Sequence, residues 1–241
     1  MRRRLPLGAT ARLGPRTGVL EVDWGKMATA AAEVVDKFRA CGKDDEVVPV
    51  GGRGSVITTV RDAASGKDRE VGVWTIPVSD DADVPNAQHR RLRDSHGAME
   101  YEVVLFPRHK CMSADNWRWE MRRSLVHELT HASEADRQKL RQHPRFTEGC
   151  RYFNSRWEVA AFVAEAREEM GTFQQVRQAD FMVRKGFLTR PEDLLMLASP
   201  TYQDLIGTKC LTPENRRRFL KMAAHLWEQR GYQDLAKRSK K

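Results

Sequence analysis

The sequence predicts an α+β fold: a small antiparallel sheet, then a helix carrying paired histidines, then a mainly helical C-terminal half. Three observations predict it. β-branched runs cluster between residues 56 and 106, apolar residues recur every three or four positions from residue 115 onward, and neither an internal repeat nor a linker divides the chain. The expected organisation is one domain over 19–232, flanked by a flexible basic tail over 1–18 and a second basic tail over 233–241.

Residues 1–18 carry Arg2, Arg3, Arg4, Arg12 and Arg16 with no acid before Glu21 and no continuous apolar segment. They read as a basic tail rather than a secretory signal, with an organelle-targeting segment as the alternative. Met27, Ala31, Val34, Val35 and Phe38 recur at helical spacing, predicting a helix over about Lys26–Ala40 closed by Gly42. Val56–Val60 and Val71–Ile76 are strand-like runs around a turn containing Gly66, and so predict a hairpin. Asp80–Gly97 is polar and reads as a loop. Tyr101-Glu-Val-Val-Leu-Phe106, bounded by Pro107, is a strand expected to form the edge of a cleft.

Ser113 or Asp115 can cap the next helix, whose stripe is Trp117, Met121, Leu125, Leu129 and Ala132. His143–Cys150 reads as a loop, and Asn154 or Ser155 as the cap of a second long helix to about Met170, closed by Gly171. Pro191–Gly207 and Pro213–Arg230 supply the last helices, before a solvated tail at Lys237–Lys241.

Forty-two Lys and Arg against 33 Asp and Glu give a net charge of +9, which suits acidic partners without naming one. Weak nucleic-acid binding through the basic surface follows as an expectation. Trp117-Arg118-Trp119 with Arg122 and Arg123 resembles a stacking clamp for nucleic acid, but Trp117 lies in the apolar stripe, which favours core packing. No apolar run is long enough to span a bilayer, so no membrane partner is expected. Cys41, Cys111, Cys150 and Cys210 are widely spaced and form no C-x-x-C pair, so free thiols and a cytoplasmic location are expected.

The chemistry-bearing motif is His127-Glu128-Leu129-Thr130-His131, an H-E-x-x-H sequence inside a predicted helix. Residues four apart lie one turn above each other, so two imidazoles can converge on one metal ion, and Zn2+ suits neutral imidazoles with an open position. Glu128 lies about 100° round the axis from His127, off the ligand face but within reach of a metal-held water, which makes it the candidate general base.

A catalytic zinc needs a third ligand. The three-histidine pattern is absent, because Glu134 and Arg137 occupy its last two places. Glu158, near the start of the next long helix and followed by Ala160, Ala161, Ala164 and Ala166, is the preferred candidate, since small residues let two helices approach. His143, beside Pro144, is the alternative.

H-E-x-x-H-A followed by Y-x-N-x-x-x-E-x-x-A, over about Leu125–Glu169, resembles the small bacterial and phage zinc metallopeptidases of the Glu-zincin type. The resemblance implies a zincin-like fold, Zn2+ on His127, His131 and Glu158, Glu128 as base, and a protein or peptide substrate. It departs from the better-known members at Phe162, where they carry an Asp that supports a zinc histidine. Glu165 is the possible substitute, although a solvent-facing charge is the preferred reading. Tyr152 is a candidate donor to the oxyanion of the tetrahedral intermediate, with packing under its turn as the equal alternative. His143 with Phe146 resembles the ligand loop of SprT-like proteases, which implies action on DNA-associated proteins. A nucleic-acid-binding protein with a structural zincin fold is the alternative from a different class.

Overall fold

The computed structural model describes residues 38–41, 46–49, 56–61, 68–79, 81–83, 86–93, 99–134, 149–171 and 173–238. The fold is α+β, with two small sheets and a mostly helical C-terminal half. The chain divides into two compact units, Met1–Leu140 and Arg141–Lys241. The expected tail over 1–18 lies outside the described residues, as do most of the expected first helix and His143 with its loop.

In the first unit, β1 (Phe38–Ala40), β2 (Glu46–Pro49) and β7 (Met112–Ser113) form an antiparallel sheet in the order β1-β2-β7. The last three residues of the expected first helix are therefore a strand, held by Phe38↔Pro49 and Ala40↔Val47 pairing. A second sheet contains β3 (Val56–Arg61), β4 (Asp68–Thr75), β5 (Ala87–Arg93) and β6 (Met99–Leu105), in the order β3-β4-β6-β5. β3 and β4 pair antiparallel from Val56↔Val73 to Arg61↔Asp68, which is the expected hairpin.

This sheet is mixed rather than antiparallel. β6 inserts between β4 and β5, antiparallel to β5 and parallel to β4. The expected loop 80–97 contains β5, and the strand expected at the cleft edge is interior. Burial explains both corrections. Val103, Val104 and Leu105 are consecutive and all buried, the signature of a strand covered on both faces. Along β5, Ala87 is buried, Gln88 exposed, His89 half-buried and Arg90 exposed, a period of two under a charged composition suited to an edge.

Helix α1 (Ala114–Glu134) packs across all four strands of this sheet. Ser113 Oγ accepts from the Asn116 N–H at 3.2 Å, so Ser113 is the cap. The predicted stripe is the buried one: Trp117, Met121, Leu125, Leu129 and Ala132 are each at most 3% exposed. Trp117 also donates its indole N–H to the Val47 carbonyl at 3.0 Å, tying α1 to the small sheet.

The second unit comprises α2 (Cys150–Phe153), α3 (Arg156–Gly171), α4 (Phe173–Arg184), α5 (Pro191–Ala198), α6 (Pro200–Gly207), α7 (Pro213–Gln229) and α8 (Tyr232–Arg238). α3 is central and packs against α4, α5, α6 and α7. Pro191, Pro200 and Pro213 each begin a helix, where a missing N–H costs nothing. α8 occupies much of the expected C-terminal tail and buries Tyr232 and Ala236.

The four cysteines are paired, correcting the expectation of free thiols. Cys41 joins Cys111 within the first unit, and Cys150 joins Cys210 within the second. Their sequence separations are 70 and 60 residues, so local spacing carries no trace of the pairing. Topology makes it: Cys41 leaves β1 and Cys111 precedes β7, while Cys150 opens α2 and Cys210 precedes α7.

Glu169 ties α3 to the start of α6. Its fully buried carboxylate accepts from Ser199 Oγ at 2.6 Å, Thr201 Oγ1 at 2.7 Å and the Thr201 N–H at 3.2 Å. Charge-assisted bonds to helix-start donors are among the stronger ones. Glu169→Ala is expected to destabilise the protein by about 2–4 kcal/mol, and Ser199→Ala by about 1 kcal/mol. Urea unfolding monitored by circular dichroism checks this. A Glu169→Ala midpoint indistinguishable from wild type would remove the assignment.

Candidate metal centre

α1 presents the H-E-x-x-H residues as the helical period requires. The rings of His127 and His131 lie on one face, their centroids 5.0 Å apart and their planes at 73°. His131 is 9% exposed and His127 half-buried. Two imidazoles one turn apart can direct one nitrogen each toward a common ion.

Glu128 lies on the sheet side of the pair. Its Oε2 accepts the backbone N–H of His89, on β5, at 2.7 Å. His89 pairs across from Val103 of β6, yet its N–H points away from that ladder to the helix. The carboxylate is thus anchored by a group that side-chain motion cannot remove, with one oxygen engaged by the sheet. The His89 ring stacks against Tyr101, with centroids 6.3 Å apart and planes at 9°.

The second unit carries Glu158 in the first turn of α3, 3% exposed. Ser155 caps that turn: its Oγ accepts the Glu158 N–H at 3.3 Å, and its carbonyl accepts the Val159 N–H at 3.0 Å. Ser155-x-x-Glu158 has the spacing of a capping box. Yet the Ser155 N–H, which the box would give to the Glu158 carboxylate, donates to the Tyr152 carbonyl at 3.0 Å.

Asn154 fixes the residue before the cap. Its Nδ2 donates to the carbonyls of Cys150 at 2.8 Å and Cys210 at 2.6 Å. Its Oδ1 accepts the Thr212 N–H and Asn215 Nδ2, each at 2.9 Å. Both donors and both lone pairs of the amide are in use. The sequence offers Asn154 as a possible cap, a role that Ser155 takes, and as the N of the Y-x-N-x-x-x-E pattern.

Glu165 is 7% exposed, so the reading of it as a solvent-facing charge is corrected. α3 is buried nearly all round, with Val159, Ala161, Val163, Ala164, Ala166 and Met170 inside, and leaves little solvent face. The Tyr152 ring sits edge-on to Phe153 and Phe162, with centroids at 5.4 and 6.4 Å, so it packs under its turn. Phe162, standing where the resembled family has Asp, belongs to this aromatic cluster. His89 was not foreseen, because its contribution is a backbone N–H that any residue but proline supplies.

No family model, no curated protein and no solved structure matches the chain.

The anchoring of Glu128 has a direct test. The His89 amide N–H, although on an edge strand, is expected to exchange slowly with solvent. In Glu128→Ala its exchange should accelerate at least about tenfold, while the Val103 and Val104 amides stay protected. Equal His89 exchange in both proteins would rule the hydrogen bond out.

Proposed function

We propose that the chain is a zinc metallopeptidase of zincin-like fold, in which His127, His131 and Glu158 hold Zn2+ and Glu128 is the general base. The observation that carries this reading is the imidazole pair on one face of α1, with Glu128 held beside it by the His89 N–H. The chemistry of the donor set supports it: two neutral imidazoles and a carboxylate are ligand types that suit Zn2+.

Zinc bound by such a set supplies Lewis acidity, polarising a scissile carbonyl and acidifying water. The chain's residues supply the rest. Glu128 takes a proton from the attacking water and delivers it to the leaving amine. Its bond to His89 holds the carboxylate in place through Oε2. The edge strand of the larger sheet is β5, and an extended peptide substrate is proposed to pair with its outer edge. Tyr152 remains a candidate oxyanion donor only through its hydroxyl, because its ring serves packing.

The disulfides bear on location. The cytoplasmic expectation drew on the lack of a secretory signal and of a spanning segment, with free thiols in agreement, and no described cysteine is free. Paired cysteines are the usage of oxidising compartments, which becomes the proposed location. Among the described residues no helix is long and apolar enough to cross a membrane.

Metal analysis of the purified protein is expected to give about one zinc per chain. Glu128→Gln should keep that zinc and lose about 10²–10⁴-fold in hydrolysis of a denatured protein. Glu158→Ala should lose the zinc, and His143→Ala should retain it. Wild-type protein without zinc, or Glu128→Gln as active as wild type, would overturn the reading. Zinc lost in His143→Ala and kept in Glu158→Ala would move the third ligand to His143.

A further inference from the structure

The first turn of α3 is more heavily fastened than a helix start needs. Ser155 alone caps it, yet the preceding residue, Asn154, spends its whole amide on three segments: the Cys150 carbonyl of α2, the Cys210 carbonyl, and the start of α7 through Thr212 and Asn215. The Cys150–Cys210 disulfide closes the same loop covalently, with the two Cα atoms 4.8 Å apart. All of this lies within the second unit, and Asn154 itself stands four residues before Glu158.

We propose that Asn154, with the Cys150–Cys210 disulfide, is the positioning residue for Glu158, setting the direction in which the carboxylate leaves α3 and hence the affinity of the chain for zinc. The proposal rests on the reading of Glu158 as a zinc ligand. The geometry makes position critical. Side-chain tips lie about 5–6 Å from a helix axis, so a rotation of α3 by about 20° would carry the carboxylate about 2 Å. Metal–ligand distances tolerate only about 0.2 Å. Ser155 ties α3 only to its own turn, and so cannot set that rotation. Asn154 can, because its partners on α2, Cys210 and α7 lie outside α3.

Asparagine is the residue this position requires. An aspartate of the same shape would turn an oxygen toward the two carbonyl oxygens that the Nδ2 group now serves, removing two donors and adding repulsion. The longer side chain of glutamine would not fit the same four contacts.

Zinc affinity of the full-length oxidised chain, measured by competition with a chromogenic chelator, tests the proposal, with apo-protein stability measured in parallel. Asn154→Asp is expected to weaken zinc binding about 10- to 100-fold, the cost usual for a residue that orients a ligand. Should that variant not fold, Asn215→Ala, which removes one of the four bonds, is expected to weaken it a few-fold. The Cys150→Ser/Cys210→Ser double variant should also bind more weakly. Ser199→Ala, a lesion at the far end of α3, is the control: it lowers stability and should leave zinc affinity unchanged. Zinc binding equal to wild type in folded Asn154→Asp or in Asn215→Ala overturns this proposal alone. Loss of affinity in Ser199→Ala to the same degree overturns it too, since stability would then be the cause. Absence of zinc from wild type overturns it together with the ligand reading.

Discussion

The rotation of α1 about its own axis is the constraint on which the candidate centre depends. Successive helical residues lie about 100° apart, which puts Glu128 about 40° from the middle of the Trp117–Ala132 stripe, and His131 and His127 about 100° and 140° from it on the same side. Trp117 and Leu129 themselves stand about 60° from that middle, so burying the stripe on the sheet carries Glu128 against the sheet with it and leaves the imidazoles outside the stripe. There the His89 N–H of β5 takes the Glu128 carboxylate. The geometry of the candidate centre and core packing are one requirement here. A helix rolled to separate Glu128 from β5 would also lift Leu125 and Leu129, both fully buried, off the sheet.

What was legible in the sequence follows from the range of the signal. The α1 stripe, its Ser113 cap, the β3–β4 hairpin, the position of β6 and the span of α3 all rest on periodicity and on residues a few positions apart. β5 escaped because Arg90, Arg91 and Arg93 mask its alternation. Its place at the edge depends on β6 inserting between β4 and β5, a pairing no local pattern encodes. Both disulfides are likewise products of topology. Glu165 shows the same limit from the other side: a charge on a helix reads as solvent-facing unless the helix is known to be central. The small residues around it, read as permitting one helix to approach, permit four.

α3 carries Glu158, Glu165, Glu168 and Glu169 at 7% exposure or less. Burying an ionised carboxylate costs several kcal/mol unless hydrogen bonds or opposite charge replace the lost water. At Glu169 the replacement is visible in Ser199 and Thr201, and its purpose is structural. Arg167, on the same helix, is held below the usual guanidinium range by its own burial, against which the charge of Glu168 acts. Glu158 differs in placement. It stands in the first turn of α3, where the positive end of the helix dipole favours an anion.

The net charge of +9 admits a nucleic-acid reading, and the aromatic residues decide how far it goes. Binding single strands calls for exposed aromatic faces on which bases stack, interleaved with cations. Trp117 is 3% exposed and its indole N–H is committed to Val47, so it offers no such face. Trp119 is half-buried, with the Arg123 guanidinium 5.1 Å above its ring, which places the cation where a base would stack. Trp117 and Trp119 thus serve packing, the reading the apolar stripe favours, with a cation–π contact at Trp119. What remains of the charge is long-range: a positive surface raises the encounter rate with acidic partners, polypeptides included, and its effect falls as salt screens it. For a chain proposed to cleave peptides, that field acts on which substrates arrive, while the chemistry stays with the α1 histidines and Glu128.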